Sequence, residues 1–230
     1  MLRHGVERCM QLGQSQQWAE DRYGEIGSGD AEQMIDAATE IVKALKARGD
    51  DAFADWLKDS VGGLRVTSPD VPKALLDLDV PVVTTNYDTL LEQAKKARLG
   101  GPHRPPATWL EHYRVLEVLR RREDSVAHLH GCWKDPLSVV LDRESYAKIG
   151  KHEGFQYIAQ AAWGLLPLLF VGVGEGMGDP NFRRLWSAIG EVWGKRDIGS
   201  RFWLRCEYER SWSAAQEESL SDRVQVVEYG

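Results

Sequence analysis

The stretch "VPVVTTNYDTLLEQA", Val80–Ala94, decides the fold. Its first part, "VPVVTT", is short and rich in β-branched residues, which predicts a buried strand. From about Asp88 the apolar residues take the spacing of a helix. Two interpretations of the polar turn stay open: Thr85, Asn86 and Asp88 cap the helix, or their side chains face a ligand.

Two further apolar runs end in polar or glycine-rich turns. "SVAHLHG" predicts a second strand that ends at His130, which is either a buried histidine bonded to backbone or part of a site. "PLLFVGVG" predicts a later strand that runs into "EGMGDPNF". There Gly172 and Gly174 either supply turn geometry or line a ligand. Asp179 either caps a helix or lines the same ligand. "LSVVLD", "RFWLR" and "VQVVEY" are the remaining predicted strands.

Helices are predicted between and before these strands. Residues 2–48 carry helical apolar spacing, and a second helical segment begins with Ser68 as N-cap and Pro69 at the first helical position. Residues 100–108, rich in glycine and proline, predict a loop. "TWLEHYRVLEVLRR" predicts a helix, and so does the segment from Arg143, with Asp142 as its cap.

The recurring order of strand, polar turn and helix predicts the fold class. It favours a Rossmann-like α/β fold with a mostly parallel sheet and helices on both faces. Ligands of such folds bind beyond the carboxyl ends of the strands, so the three polar turns are expected along one edge. We expect residues 1–230 to form a single domain that is cut at both ends, because the chain opens directly on a helical pattern and closes on a strand.

Composition narrows the function classes. The net charge of −6 gives no general attraction to nucleic acid or anionic lipid, so neither partner is expected. The three cysteines, Cys9, Cys132 and Cys206, form no CxxC pair, so we predict no bound metal and a reducing, cytoplasmic location. No apolar run reaches the roughly 18 residues that a membrane span needs.

The three strand-and-turn segments together resemble sirtuin-like NAD hydrolase domains of the bacterial antiviral-defence type. "VPVVTTNYDTLLEQA", "VAHLHG" with "LSVVLDRESYAKI", and "PLLFVGVGEGMGDPNFRRLW" match in order and spacing over roughly residues 70–190. The resemblance implies an enzyme that binds NAD as substrate and releases nicotinamide and ADP-ribose. It also implies a homo-oligomer or a defence-system partner protein.

The resemblance also implies roles for individual residues. Asn86 would hold the nicotinamide-side ribose and the attacking water, and His130 would act on a ribose hydroxyl or as general base. Asp88 would hold the nicotinamide carboxamide. The remaining residues of the implied NAD-binding set are Thr85, Gly131, Gly172, Gly174 and Asp179.

Two departures keep alternatives open. Protein-deacylating sirtuins carry a four-cysteine zinc module that this sequence lacks, which disfavours an NAD-dependent deacylase. The family's Gly-Ala-Gly-x-Ser phosphate loop is also absent, since "MLRHGVERCMQLG" resembles the helix that follows it. We therefore expect weak or absent turnover unless that segment lies upstream, and a non-catalytic nucleotide-binding or interaction module is the main alternative.

Overall fold

The computed structural model describes residues 1–100, 104–174, 179–180, 182–185, 187, 201–206 and 224–229. The chain packs as two compact units, Met1–Lys151 and His152–Gly230. The prediction of a single domain over residues 1–230 stays a prediction.

The first unit opens with four helices, as the apolar spacing predicts. They are α1 Leu2–Gln11, α2 Gln16–Gly27, α3 Ala31–Lys46 and α4 Asp50–Leu57, the last continued by a π-helical turn at Lys58–Gly62. Ser15 and Asp30 accept hydrogen bonds from the Trp18 and Gln33 amides and so begin α2 and α3. The apolar faces of these helices meet in a buried core that includes Val6, Ile41, Leu45, Trp56 and Leu57.

A three-stranded sheet follows in the same unit. Its three strands are β1 Val83–Thr84, β2 Ala107–Thr108 and β3 Ala127–His128. The helical elements before and between them are α5 Asp70–Asp77, α6 Leu90–Leu99, a 3-10 turn Trp109–Glu111 and α7 His112–Leu119. The strand order is β1-β3-β2, and both pairings are parallel. Another 3-10 turn, Pro136–Ser138, and α8 Arg143–Lys151 complete the unit. Asp142 caps α8 as predicted, by accepting a hydrogen bond from the Ser145 amide at 2.8 Å.

The second unit contains α9 Glu153–Leu165, β4 Leu168–Val171, β5 Arg201–Cys206 and β6 Gln225–Tyr229. Its strands pair in parallel in the order β4-β5-β6. The Trp163, Phe170 and Phe182 rings pack together, with centroids 5.4 to 6.4 Å apart. Beside them Arg201 is buried and donates to the Trp163 carbonyl, and burial lowers the pKa of its guanidinium. The helix predicted between "RFWLR" and "VQVVEY" lies outside the described residues.

Parallel strands alternating with helices confirm the predicted Rossmann-like α/β class. Among the helices described, none combines the length and apolar character that a bilayer crossing requires.

Several details of the sequence prediction are wrong. The strand "VPVVTT" is reduced to Val83–Thr84 and is not buried, since Val80 and Val83 are exposed. Its only ladder partner among the described strands is β3. The strand predicted to end at His130 ends at His128.

Three other boundaries differ. "LSVVLD" forms no strand, because the Leu141 and Asp142 amides bond to the Ser145 hydroxyl and not to a neighbouring strand. The predicted loop ends in strand β2. Helix α5 begins one residue later than predicted, with Pro69 as its N-cap in place of Ser68.

Candidate functional site

The parallel pairing of β1 with β3 brings two of the predicted polar turns to one edge of the sheet. Val83 pairs with Ala127 and Thr84 with His128. The Leu129 amide donates to the Thr84 carbonyl at 2.9 Å, which continues the ladder to the strand ends. Asn86 and His130 therefore each follow a paired position by two residues.

The backbone around Asn86 is held from several sides. The Thr84 hydroxyl accepts a hydrogen bond from the Asn86 amide at 3.1 Å. The Tyr87 carbonyl accepts one from the Trp133 amide at 3.0 Å, and the Tyr87 hydroxyl donates to the Val140 carbonyl at 2.7 Å. The Asn86 side chain itself is exposed at the sheet edge. A fixed backbone with an exposed amide side chain suits contact with a ligand.

Asp88 takes part in the start of the next helix. Its Oδ1 atom accepts a hydrogen bond from the Leu90 amide at 2.9 Å, where α6 begins. Asp88 therefore bonds to the first residue of α6, although the N-cap residue itself is Thr89, whose side chain makes no cap hydrogen bond. Thr85 lies beside it and is half-buried. The ligand roles that the resemblance implies for both residues stay predictions.

His130 is a buried residue at the end of the β3 segment, with 6% of its surface exposed. Its ring meets the Tyr146 ring edge to face, at a centroid distance of 5.9 Å and an angle of 75°. Its carbonyl accepts a hydrogen bond from the Val140 amide at 2.8 Å. The ring thus packs against Tyr146 of α8, and its predicted role in proton transfer stays a prediction.

Gly131 is required by packing. Its φ of 81° lies in the left-handed region, and a Cβ atom there would come within 2.0 Å of the Ser138 carbonyl oxygen. Two backbone segments approach each other at this point, which explains why glycine follows His130. A contact of Gly131 with NAD remains a prediction.

His128 belongs to this site although the sequence interpretation gives it no role. It is 1% exposed, its Nδ1 atom lies 3.0 Å from the Asn86 carbonyl oxygen, and its Nε2 atom lies 2.8 Å from Oε1 of Glu92. The available signal was the first histidine of "HLHG", which stands at the end of strand β3.

The third predicted cluster lies in the second unit, after β4. Gly172 and Gly174 have φ values of 63° and 47°, and no described atom lies within 4 Å of a Cβ atom built on either. The Asp179 carbonyl accepts a hydrogen bond from the Arg183 amide at 2.9 Å, the pattern of a helix start. Residues 175–178 lie outside the described residues. That this cluster shares a pocket with Asn86 and His130 stays a prediction.

The described part of the chain contains no group of three or more His, Cys, Asp or Glu side chains that could hold a metal ion. Cys9 and Cys132 are buried, and burial raises the pKa of each thiol to about 11.

A comparison with protein families identifies the class of protein to which this chain belongs. The model of the SIR2-like domain matches residues 80–225, which is more than half of the chain. The match begins at Val80, the first residue of the segment that carries β1 and the Asn86 turn. The chain belongs to the SIR2-like family, whose domains bind NAD and whose members are in general NAD-dependent enzymes.

Proposed function

We propose that this protein is an NAD glycohydrolase, which splits NAD into nicotinamide and ADP-ribose. The observation that carries the proposal is the register of β1 with β3, which sets the Asn86 turn beside the His130 segment at one sheet edge. The family match supplies the ligand class.

The reaction places demands that these residue types meet. Water adds to C1′ of the nicotinamide-side ribose while the bond from C1′ to the ring nitrogen breaks, and nicotinamide leaves with the bonding electrons. The exposed Asn86 amide can orient both the ribose hydroxyls and the attacking water. His130 takes the proton that the water loses, since a histidine titrates near neutral pH.

Binding of the two ends of NAD is divided between the clusters in this proposal. Oδ2 of Asp88 accepts a hydrogen bond from the nicotinamide carboxamide while Oδ1 keeps the Leu90 amide. Thr85 and Gly131 contact the same half of the dinucleotide. Gly172, Gly174 and Asp179 line the adenosine side, and this assignment is supported by the two glycines, beside which no described atom lies within 4 Å of a Cβ position.

The biological role in this proposal is that of a bacterial antiviral-defence effector. Such an effector depletes cytoplasmic NAD during infection and works as a homo-oligomer or with a defence-system partner protein. The support is the resemblance of the three strand-and-turn segments.

A nucleotide-binding module without turnover is the second candidate. Two observations favour it: His130 is only 6% exposed, and one Asp88 oxygen is already engaged at the start of α6. NAD binding without product release would distinguish this candidate from the enzyme.

The test is product analysis of the full-length protein incubated with NAD. We expect nicotinamide and ADP-ribose to appear in equal amounts, without an acylated peptide. Asn86→Ala should lower kcat by about 10²–10³-fold, because loss of one hydrogen-bonding side chain at a reacting centre has an effect of that size. Gln17→Ala, which removes an exposed amide side chain on α2, is the matched control. Products that appear only with an acylated peptide would indicate a deacylase and overturn the proposal.

A further inference from the structure

His128 connects the Asn86 turn to helix α6 through a buried ring. Nδ1 lies 3.0 Å from the Asn86 carbonyl oxygen, and Nε2 lies 2.8 Å from the Glu92 carboxylate. His128 and Asn86 are 42 residues apart, and Glu92 comes from a third element. The ring is 1% exposed, so both contacts lie away from bulk water.

The two ring nitrogens contact two oxygen atoms from different elements. A carbonyl oxygen accepts only, so the contact with Asn86 is a hydrogen bond in the ring tautomer that carries its hydrogen on Nδ1. The contact with Glu92 is then made by Nε2.

Glu92 depends on this contact. Its Oε2 atom is buried, and the described part of the chain offers it no hydrogen-bond partner. A buried carboxyl group is costly unless it is paired, so removal of either partner leaves an uncompensated polar group. The two side chains thus hold each other in place.

The contact fixes the residue on which the proposed chemistry depends. The Asn86 amide is bound by Thr84 and its carbonyl by His128, whereas its side chain stays exposed. We propose that His128 and Glu92 are positioning residues that hold the Asn86 side chain in the orientation needed for NAD. This inference rests on the proposed function.

The test compares three changes on α6 in the full chain. Glu92→Leu removes the acceptor at similar size. Glu92→Gln keeps the contact, because its amide group donates to Nε2 of a neutral ring whose Nδ1–H still donates to Asn86. Lys96→Leu adds the same side chain at an exposed position of the helix and is the control.

Two readouts are measured, hydrogen exchange of the peptide over residues 84–90 and nicotinamide release. We expect Glu92→Leu to speed exchange in that peptide about tenfold, the effect of one lost hydrogen bond. Exchange in α3 should not change. The kcat of Glu92→Leu should fall about 100-fold, because misplacement of a reacting group by 1 Å has an effect of that size. Glu92→Gln should stay close to wild type in both.

The outcomes separate the two proposals. If wild type releases no nicotinamide, the proposed function fails, and the exchange comparison still decides whether the pair holds Asn86. The positioning proposal is overturned if Glu92→Leu exchanges like Lys96→Leu. It is also overturned if Glu92→Gln is as damaging as Glu92→Leu, because then the hydrogen bond is not what matters.

Discussion

Thr84 and His128 are direct partners in the parallel ladder between β1 and β3. This one pairing sets the relation between the two sequence segments that precede the proposed site. Because each strand ends at its paired residue, the Asn86 and His130 segments leave the sheet side by side.

The Tyr87 hydroxyl provides a first test of how the Asn86 turn is held. Tyr87→Phe removes its 2.7 Å hydrogen bond and leaves the Val140 carbonyl without that donor. We expect the free energy of unfolding to fall by about 1–2 kcal/mol. Urea denaturation measures it, and Tyr113→Phe, at a 61% exposed residue, should change stability by less than about 0.5 kcal/mol. If Tyr87→Phe and Tyr113→Phe lowered the free energy of unfolding equally, the hydrogen bond from Tyr87 to Val140 would not stabilise the turn.

Gly131 allows a test of the close backbone approach beside His130. Gly131→Ala would place a Cβ atom 2.0 Å from the Ser138 carbonyl oxygen, and we expect a loss of at least about 3 kcal/mol. Gly29→Ala is the matched control, because Gly29 has a similar φ of 71° with no described atom within 4 Å. It should lose about 1–2 kcal/mol from backbone strain alone. Similar midpoints in urea for the two variants would argue against the steric account.

The pair of Arg114 and Glu123 gives a prediction about pH. Burial of the Glu123 carboxylate raises its pKa, but hydrogen bonds from Arg114 and Ser125 outweigh this, so the pKa lies below its ordinary value. The folded state then binds this proton less readily than the unfolded state. The stabilisation is present above the unfolded pKa and disappears as pH falls through the folded one.

Glu123→Gln tests this linkage. At pH 7 we expect a loss of about 2 kcal/mol, less than full removal of a buried partner causes, because the amide oxygen still accepts from Arg114. The difference from wild type should shrink as pH falls below about 4. Glu117→Gln removes a half-exposed charge near Arg120 and Arg122 and should have an effect below about 1 kcal/mol. A difference independent of pH would refute the assignment.

The sequence predicted the helices better than the strands. In α3 the residues Ile35, Ala38, Ile41, Val42 and Leu45 lie on one buried face, which local spacing alone predicts. Strands depend on partners that are distant in sequence. Val139 and Val140 have strand-like side chains, yet the amides that follow bond to the Ser145 hydroxyl, so no ladder forms.

The candidate site could be predicted only in part, because the sequence shows local patterns but not contacts between distant residues. Asn86 and His130 stand out because each follows an apolar run, and parallel pairing puts those runs together. The contact of His128 with Glu92 joins residues 36 apart in sequence, and no local pattern indicates it. The clash that requires glycine at position 131 likewise involves a distant backbone segment.

The central claim is that Asn86 and His130 act on the same NAD molecule. The most direct measurement is a double-mutant cycle of nicotinamide release with Asn86→Ala, His130→Ala and both changes together. Residues that act as a unit are strongly non-additive, so the double variant should be about as slow as the slower single variant. Contradiction would come from single changes that leave kcat intact, or from effects that multiply as they do for independent sites.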